Sequence, residues 1–176
     1  LREGQGVLKS LGILHPDGRL SPIGKQLTQL GEHPRLGPVM VEAQRHGCSR
    51  LGCDLAALLS DRDPLSAAEV GCDLGARLEA MQQQKRCRPL RELSRQLERQ
   101  LARLAIPPDE DSQGIDSVQL TLTAFPNWLA LQRPGQSGRY RLRQGRGATL
   151  RPGDPLAGSE ALAVARLDMG QRGTRI

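Results

Sequence analysis

The chain has 176 residues, with 25 Lys and Arg against 19 Asp and Glu, a net charge of +6 and a pI near 9.8, which favours a polyanionic partner. Phe125, Trp128 and Tyr140 are its only aromatic residues, too few for a module that holds a single strand by base stacking. The longest uncharged run, Ser117 to Gln132, is polar and broken by Pro126, so no membrane span or membrane partner is expected. With no signal peptide either, a cytoplasmic protein is expected.

Charge is distributed in blocks. Residues 81–105 hold 7 basic and 2 acidic groups, residues 106–118 hold 0 and 4, and residues 119–176 hold 9 and 3. A basic face therefore fits better than a uniformly basic surface. Cys48, Cys53, Cys72 and Cys87 match no paired zinc spacing, and the sequence offers no fourth ligand beside Cys48, Cys53 and His46. They read as buried helix cysteines, with no metal and no disulfide.

In chain order, Leu8, Leu11 and Leu14 mark one helix, and His15-Pro16-Asp17-Gly18 a turn. A short extended Arg19-Leu20 follows. Ser21 then reads as an N-cap with Pro22 as the first helical residue. Ile23, Leu27 and Leu30 form one apolar stripe, at i, i+4 and i+7. Gly31 stops that helix and Pro34 opens the next, in which Leu36, Val39, Met40 and Ala43 face inward. Gly47 closes it, and Ser49 caps a third helix carrying Leu51, Leu55, Leu58 and Leu59 before Asp63-Pro64. Ser66-Ala67-Ala68-Glu69 has the pattern of a capping box, leading a stripe of Val70, Leu74, Leu78 and Met81.

After Pro89, Leu90, Leu93, Leu97, Leu101 and Leu104 predict an amphipathic helix whose other face carries Arg91, Arg95, Arg99 and Arg103. Ile106 to Gly114 reads as a linker. Val118, Leu120 and Leu122 alternate with polar residues, the local pattern of a strand. Gly138 to Leu150 predicts a hairpin turning at Gly145-Arg146-Gly147, with Tyr140 and Leu142 on one face and Arg139, Arg141 and Arg143 on the other. Period two would space those three about 7 Å apart, close to successive phosphates of an extended strand. Ala161 to Leu167 reads as a further strand. From Gln119 to Gly153 there are six arginines and no acid.

The stretch LGILHPDGRLSPIGKQLTQLGEHPRL resembles the region after the two motor domains of DEAH-box helicases. HPRL, CDLAALLSDRDPL and GRYRLRQGRGATLRPGDPLAGSE are most similar to the bacterial HrpB-type branch. The resemblance implies a mainly α architecture taken from the C-terminal accessory region of that family. It comprises a winged-helix domain over 1–35, a helical ratchet-like bundle over 36–105, a linker over 106–117, and a helix leading into an incomplete OB-like β domain over 118–176. It also turns the reading of Val118–Leu122 from strand to helix, since Ala124-Phe125-Pro126-Asn127 resembles the end of the helix before the family's OB-like barrel. Asn127-Trp128 departs from the acid and Arg expected there. Both termini look like cut ends on this reading.

No catalytic site is expected in the chain. Gly18 to Gln26 (GRLSPIGKQ) mimics a P-loop, but its spacing is one residue too long, and Gln26 replaces the Mg²⁺-binding hydroxyl. Asp109-Glu110-Asp111 mimics an acidic box inside a linker. His15, His33 and His46 stand at punctuation positions. By resemblance the complete protein is an ATP-dependent RNA helicase, with ATP and Mg²⁺ held by motor domains in cis. This region would contact single-stranded RNA or other nucleic acid, through Arg139, Arg141, Arg143 and Arg146 first and Arg91, Arg95, Arg99 and Arg103 second. The rival is a protein-interaction module docking on the motors or a regulator. A free-standing winged-helix DNA binder ranks third, because Ser21 to Leu30 offers only Lys25, Gln26 and two further polar side chains for base readout.

Overall fold

A computed structural model describes residues 5–6, 8–9, 12–30, 36–60, 64–104, 106–109, 114–170 and 173–176. Residues 5, 6, 8 and 9 are helical. Gly12, at φ 68, ends that run, its N–H donating to the Lys9 carbonyl (3.0 Å) and that of Ile13 to the Leu8 carbonyl (2.9 Å). This is the paired bond of a Schellman end. The helix therefore closes ahead of Leu14, not at it, and Leu14 pairs antiparallel with Leu20 across the His15–Gly18 turn. Ser21 caps helix α1 (Pro22–Leu30) as its sequence implies: Oγ accepts from the Gly24 N–H (2.9 Å) and donates to the Gly12 carbonyl (2.6 Å). The expectations for Gly31, His33 and Pro34 lie outside the described residues.

Helices α2 (Leu36–Arg45) and α3 (Ser49–Leu59) form the centre of the helical layer. Leu36, Val39, Met40 and Ala43 are all buried, each buried Leu or Val removing apolar surface worth about 1.5–3 kcal/mol. The two helices meet at Gly52, where a methyl group would stand 2.4 Å from Ala43 Cβ. Only glycine allows that approach. The cap of α3 is Cys48, not Ser49, and its side chain makes no capping bond.

Ser66 caps the short helix α4 (Ala67–Val70) by accepting from the Ala68 N–H, and the Glu69 carboxylate, which accepts from the Ser66 backbone, also pairs with Arg86 at 2.7 Å. Val70 and Leu74 do not share one helix. Gly71 (φ 75) breaks the stripe, and Asp73 caps α5 (Leu74–Gln83). A 3₁₀ turn, Lys85–Cys87, leads into α6 (Arg88–Leu101), which carries Pro89 in its first turn and a second 3₁₀ turn, Ala102–Leu104, at its end. Leu90, Leu97 and Leu101 are buried, and Leu93 and Leu104 pack beside them.

The stretch expected to be a linker begins as part of the core. Ile106 is buried against Met40, Val41 and Leu101, and the Asp109 N–H donates to the Arg45 carbonyl (2.9 Å). Glu110 and Asp111 lie outside the described residues. Helix α7 (Ser117–Ala124) then settles the conflict over Val118–Leu122 in favour of helix, and it starts at Ser117, inside the expected linker. A reciprocal capping box joins the Asp116 side chain to the Gln119 N–H and the Gln119 side chain to the Asp116 N–H, satisfying two otherwise orphaned donors. Leu120 and Ala124, four apart, pack with Phe125 on Val39, Ala43 and Leu55. Val118 is 53% exposed.

Among the described residues six strands follow in one mixed sheet, ordered β4-β1-β2-β3-β6-β5: β1 (Leu129–Arg133), β2 (Gln136–Leu142), β3 (Gly147–Thr149), β4 (Ala161–Ala163), β5 (Asp168–Gly170) and β6 (Gly173–Arg175). The sequence reading contains β2, β3 and a strand from Ala161. That strand stops at Ala163, short of Leu167, and β1, β5 and β6 are additional. All neighbours are antiparallel except β3 and β6. The inner face buries Ala130, Tyr140, Leu142, Ala148, Leu150 and Val164. Trp128 touches both this cluster and the α7 cluster and stacks on Phe125 at 4.9 Å. Cys72 Sγ donates across to Asp154 (3.2 Å), a second tie between helices and sheet.

Candidate nucleic-acid interface

The β2–β3 pairing places the predicted arginines where period two requires. Arg139 opposes Thr149 and Arg141 opposes Gly147, with Tyr140 and Ala148 between them on the buried side. Arg139 and Arg141 are exposed on the outer face. Arg143 stands one residue past β2, its N–H still donating to the Leu129 carbonyl (2.9 Å), and Arg146 closes the turn, its carbonyl accepting from the Leu142 N–H (2.9 Å). All four belong to one exposed region at the β2–β3 hairpin. Such guanidinium groups take phosphate oxygens in bidentate pairs.

The sheet adds residues that sequence reasoning omitted. One outer row runs Ala161–Leu131–Arg141–Gly147 across β4, β1, β2 and β3. Another runs Arg139–Thr149–Arg175–Asp168 across β2, β3, β6 and β5. Arg133, Arg139, Arg141, Arg143 and Arg175 make no ion pair among the described residues. Arg133 and Leu131 come from β1, which was not read as a strand. Its signal was present: Pro134-Gly135 is a two-residue turn, with Arg133 paired to Gln136 and Gly135 at φ 68, as a Pro-Gly turn demands.

The helical arginines differ in exposure and partners. Arg91 is half-buried, its guanidinium donating to the Met81 carbonyl and to that of Gln84 (2.8 Å). It ties α6 to the end of α5. Arg95, Arg99 and Arg103 remain exposed, with Arg103 on the 3₁₀ turn after α6. Glu92 pairs with Arg88 at 2.7 Å.

The remaining chemically active side chains serve packing. The cysteines are free, and no cluster able to hold a metal occurs among the described residues. Cys53 and Cys87 are buried as expected, but Cys48 and Cys72 are half-buried at a helix cap and in a loop. Burial pushes the Cys53 thiol up to about 12. Burial and the Asp154 side chain do the same for Cys72, to about 12. Tyr140 is wholly buried, its hydroxyl 2.8 Å from the Leu156 carbonyl and 3.0 Å from that of Ser159, and burial raises its pKa. The aromatic rings are thus committed to packing. A largely apolar cavity of about 690 Å³ lies between α3, α5, α7 and β4, lined in part by Leu58, Leu74, Val118 and Leu162. No helix among the described residues is long and apolar enough to cross a membrane.

No family model matches the chain. It is 30% identical over 164 residues to the ATP-dependent RNA helicase HrpB of Escherichia coli K12, a match covering 93% of this chain and 18% of that protein. It is 38% identical over 69 residues to the ATP-dependent RNA helicase HrpA of the same organism, covering 36% of this chain and 5% of HrpA. Among solved structures, the crystal structure of the E. coli DExH-box NTPase HrpB superposes with a TM-score of 0.77 at 28% identity, over 98% of this chain and 20% of that one. A second crystal structure, of the E. coli DEAH/RHA helicase HrpB, gives 0.74 over 96% and 20%. The chain thus spans about a fifth of HrpB or less, and a smaller share of HrpA. By sequence and by fold, the chain is homologous to a segment of the HrpB helicase.

Proposed function

We propose that this chain is the accessory region of a DEAH-box RNA helicase of the HrpB kind, gripping single-stranded nucleic acid behind motor domains that lie outside it. In this reading residues 1–35 form the winged helix, 36–105 the ratchet-like bundle, 106–117 a connection that packs on that bundle at Ile106 and gives way to α7 at Ser117, and 118–176 a helix leading into an incomplete OB-like β domain. ATP and Mg²⁺ belong to the motors. The accessory region lines the exit of the nucleic-acid channel and keeps the strand from slipping back.

The observation that carries the reading is the outer face of β2, where Arg139 and Arg141 stand at strand spacing and Arg143 follows one residue past the strand, all three exposed and with no ion pair among the described residues. Phosphate contacts account for a grip that lacks exposed aromatic platforms. Arg146 extends the set around the turn, and Arg95, Arg99 and Arg103 form a secondary basic surface. Arg91 contributes to that surface only if it leaves its two carbonyls.

The test is binding of labelled single-stranded RNA across a salt series, for the parent chain and for Arg139, Arg141, Arg143 and Arg146 all changed to Ala. Four to six phosphate contacts give a log–log slope of roughly −3 to −4. The quadruple variant should flatten it by about 2–3. Binding that ignores the substitutions would remove the sheet face from the channel and favour docking of this region on the motors.

A further inference from the structure

We infer that the groove beside the β1–β2 turn is a nucleotide subsite, in which Arg133 and Arg141 hold one phosphate while Leu131 takes the neighbouring sugar and base edge. The inference rests on the reading of the sheet face as a single-strand surface, and it names where the strand goes after the β2–β3 turn. The groove has a volume of about 510 Å³ and is lined by Leu131, Gln132, Arg133, Pro134, Gln136 and Arg141. Leu131 is 53% exposed and sits directly opposite Arg141 across the β1–β2 ladder. Arg133 Nη2 reaches across β2, to within 3.4 Å of where a side chain on Gly147 of β3 would begin. Gly147 is itself the register partner of Arg141. Glycine at 147 leaves the surface open for that arginine to lie flat beside a second one.

Two guanidinium groups brought together on one face, with neither in an ion pair among the described residues, repel each other until an anion sits between them. A phosphodiester satisfies both forks at once. An apolar side chain next to that position suits a ligand with an apolar portion one bond set from its charge. A nucleotide has that alternation, while a duplex hides its base edges and presents phosphate alone at this depth. The partner chemistry is therefore a flexible single-stranded polynucleotide, entered across the strands of the sheet.

The experiment uses the 176-residue chain with a single-stranded oligouridylate of roughly a dozen nucleotides, an RNA duplex of the same length, and polyaspartate as competitor. Variants R133A, R141A and L131S carry exposed substitutions, and an unchanged melting temperature checks their folding. R133A and R141A should each lower the salt slope by about one. L131S should weaken single-strand binding about three- to tenfold with the slope unchanged, through lost apolar contact alone, and should leave duplex binding as it was. If R133A and L131S bind like the parent while R139A loses affinity, the subsite is overturned and the sheet-face reading stands. If the parent binds no RNA at low salt, that reading fails as well. If polyaspartate displaces RNA at equal charge concentration and L131S alters neither, the face takes acidic peptide and the subsite is again overturned.

Discussion

Asp54 holds three helices of this chain together from a buried position. Its carboxylate accepts from the Ser94 hydroxyl of α6 and from the Gln82 amide of α5 (2.9 Å), with Arg50 Nε at 3.8 Å on its own helix. Replacing it by Ala leaves both donors without an acceptor in a site only 8% exposed. D54A should therefore cost about 1–3 kcal/mol of unfolding free energy, measured in urea, with S94A costing less. Cys53 and Cys72 give a second check at this scale, because both thiols are pushed up from 9.0 to about 12. A raised folded-state pKa means the thiols contribute their stability fully below pH 9. The contribution falls as pH rises from about 9 to about 12, where only the unfolded chain is readily ionised. An ultraviolet titration of thiolate formation, set against the C53A and C72A variants, should show neither group ionising below pH 10.

Among the elements, α7 shows most plainly what local pattern decides and what it does not. Alternation of Val118, Leu120 and Leu122 reads as strand, yet the Asp116–Gln119 box fixes a helix start, and Leu120 and Ala124 then face α2 together. D116A should lower stability by about 0.5–2 kcal/mol, and it should shift Trp128 fluorescence, since that ring stacks on Phe125 at the end of α7. At the α2–α3 crossing, G52A places a methyl group 2.4 Å from Ala43 Cβ and should cost about 1–3 kcal/mol in the same urea assay. Helices with strong punctuation were legible in the sequence: Ser21-Pro22, Gly47 and Pro89 all mark real ends. The strands β5 and β6 were not, because neither short segment carries a periodicity of its own, β6 being held by its register with β3 and β5 by its register with β6. The site was legible on β2, where burial alternates cleanly. It was missed on β1, which supplies Leu131 and Arg133 and whose Pro134-Gly135 turn went unread, and it was illegible at Arg91, where proximity of the Met81 and Gln84 carbonyls is a tertiary fact.

At the scale of the whole molecule, the net charge of +6 includes two sets of exposed arginines, one at the sheet and one on α6 and the 3₁₀ turn after it. Bulk charge and a shaped site make different predictions. Uniform attraction would weaken equally with any three or four arginines removed, whereas a built site depends on which ones are lost. The most direct test compares single-stranded RNA binding across a salt series for two charge-matched variants, R139A/R141A/R143A on the sheet and R95A/R99A/R103A on the helix. The sheet variant should lose about 2–3 units of log–log slope and the helix variant less than about 1. Equal losses in the two would contradict the account, leaving a protein that binds polyanions by net charge and not by its sheet face.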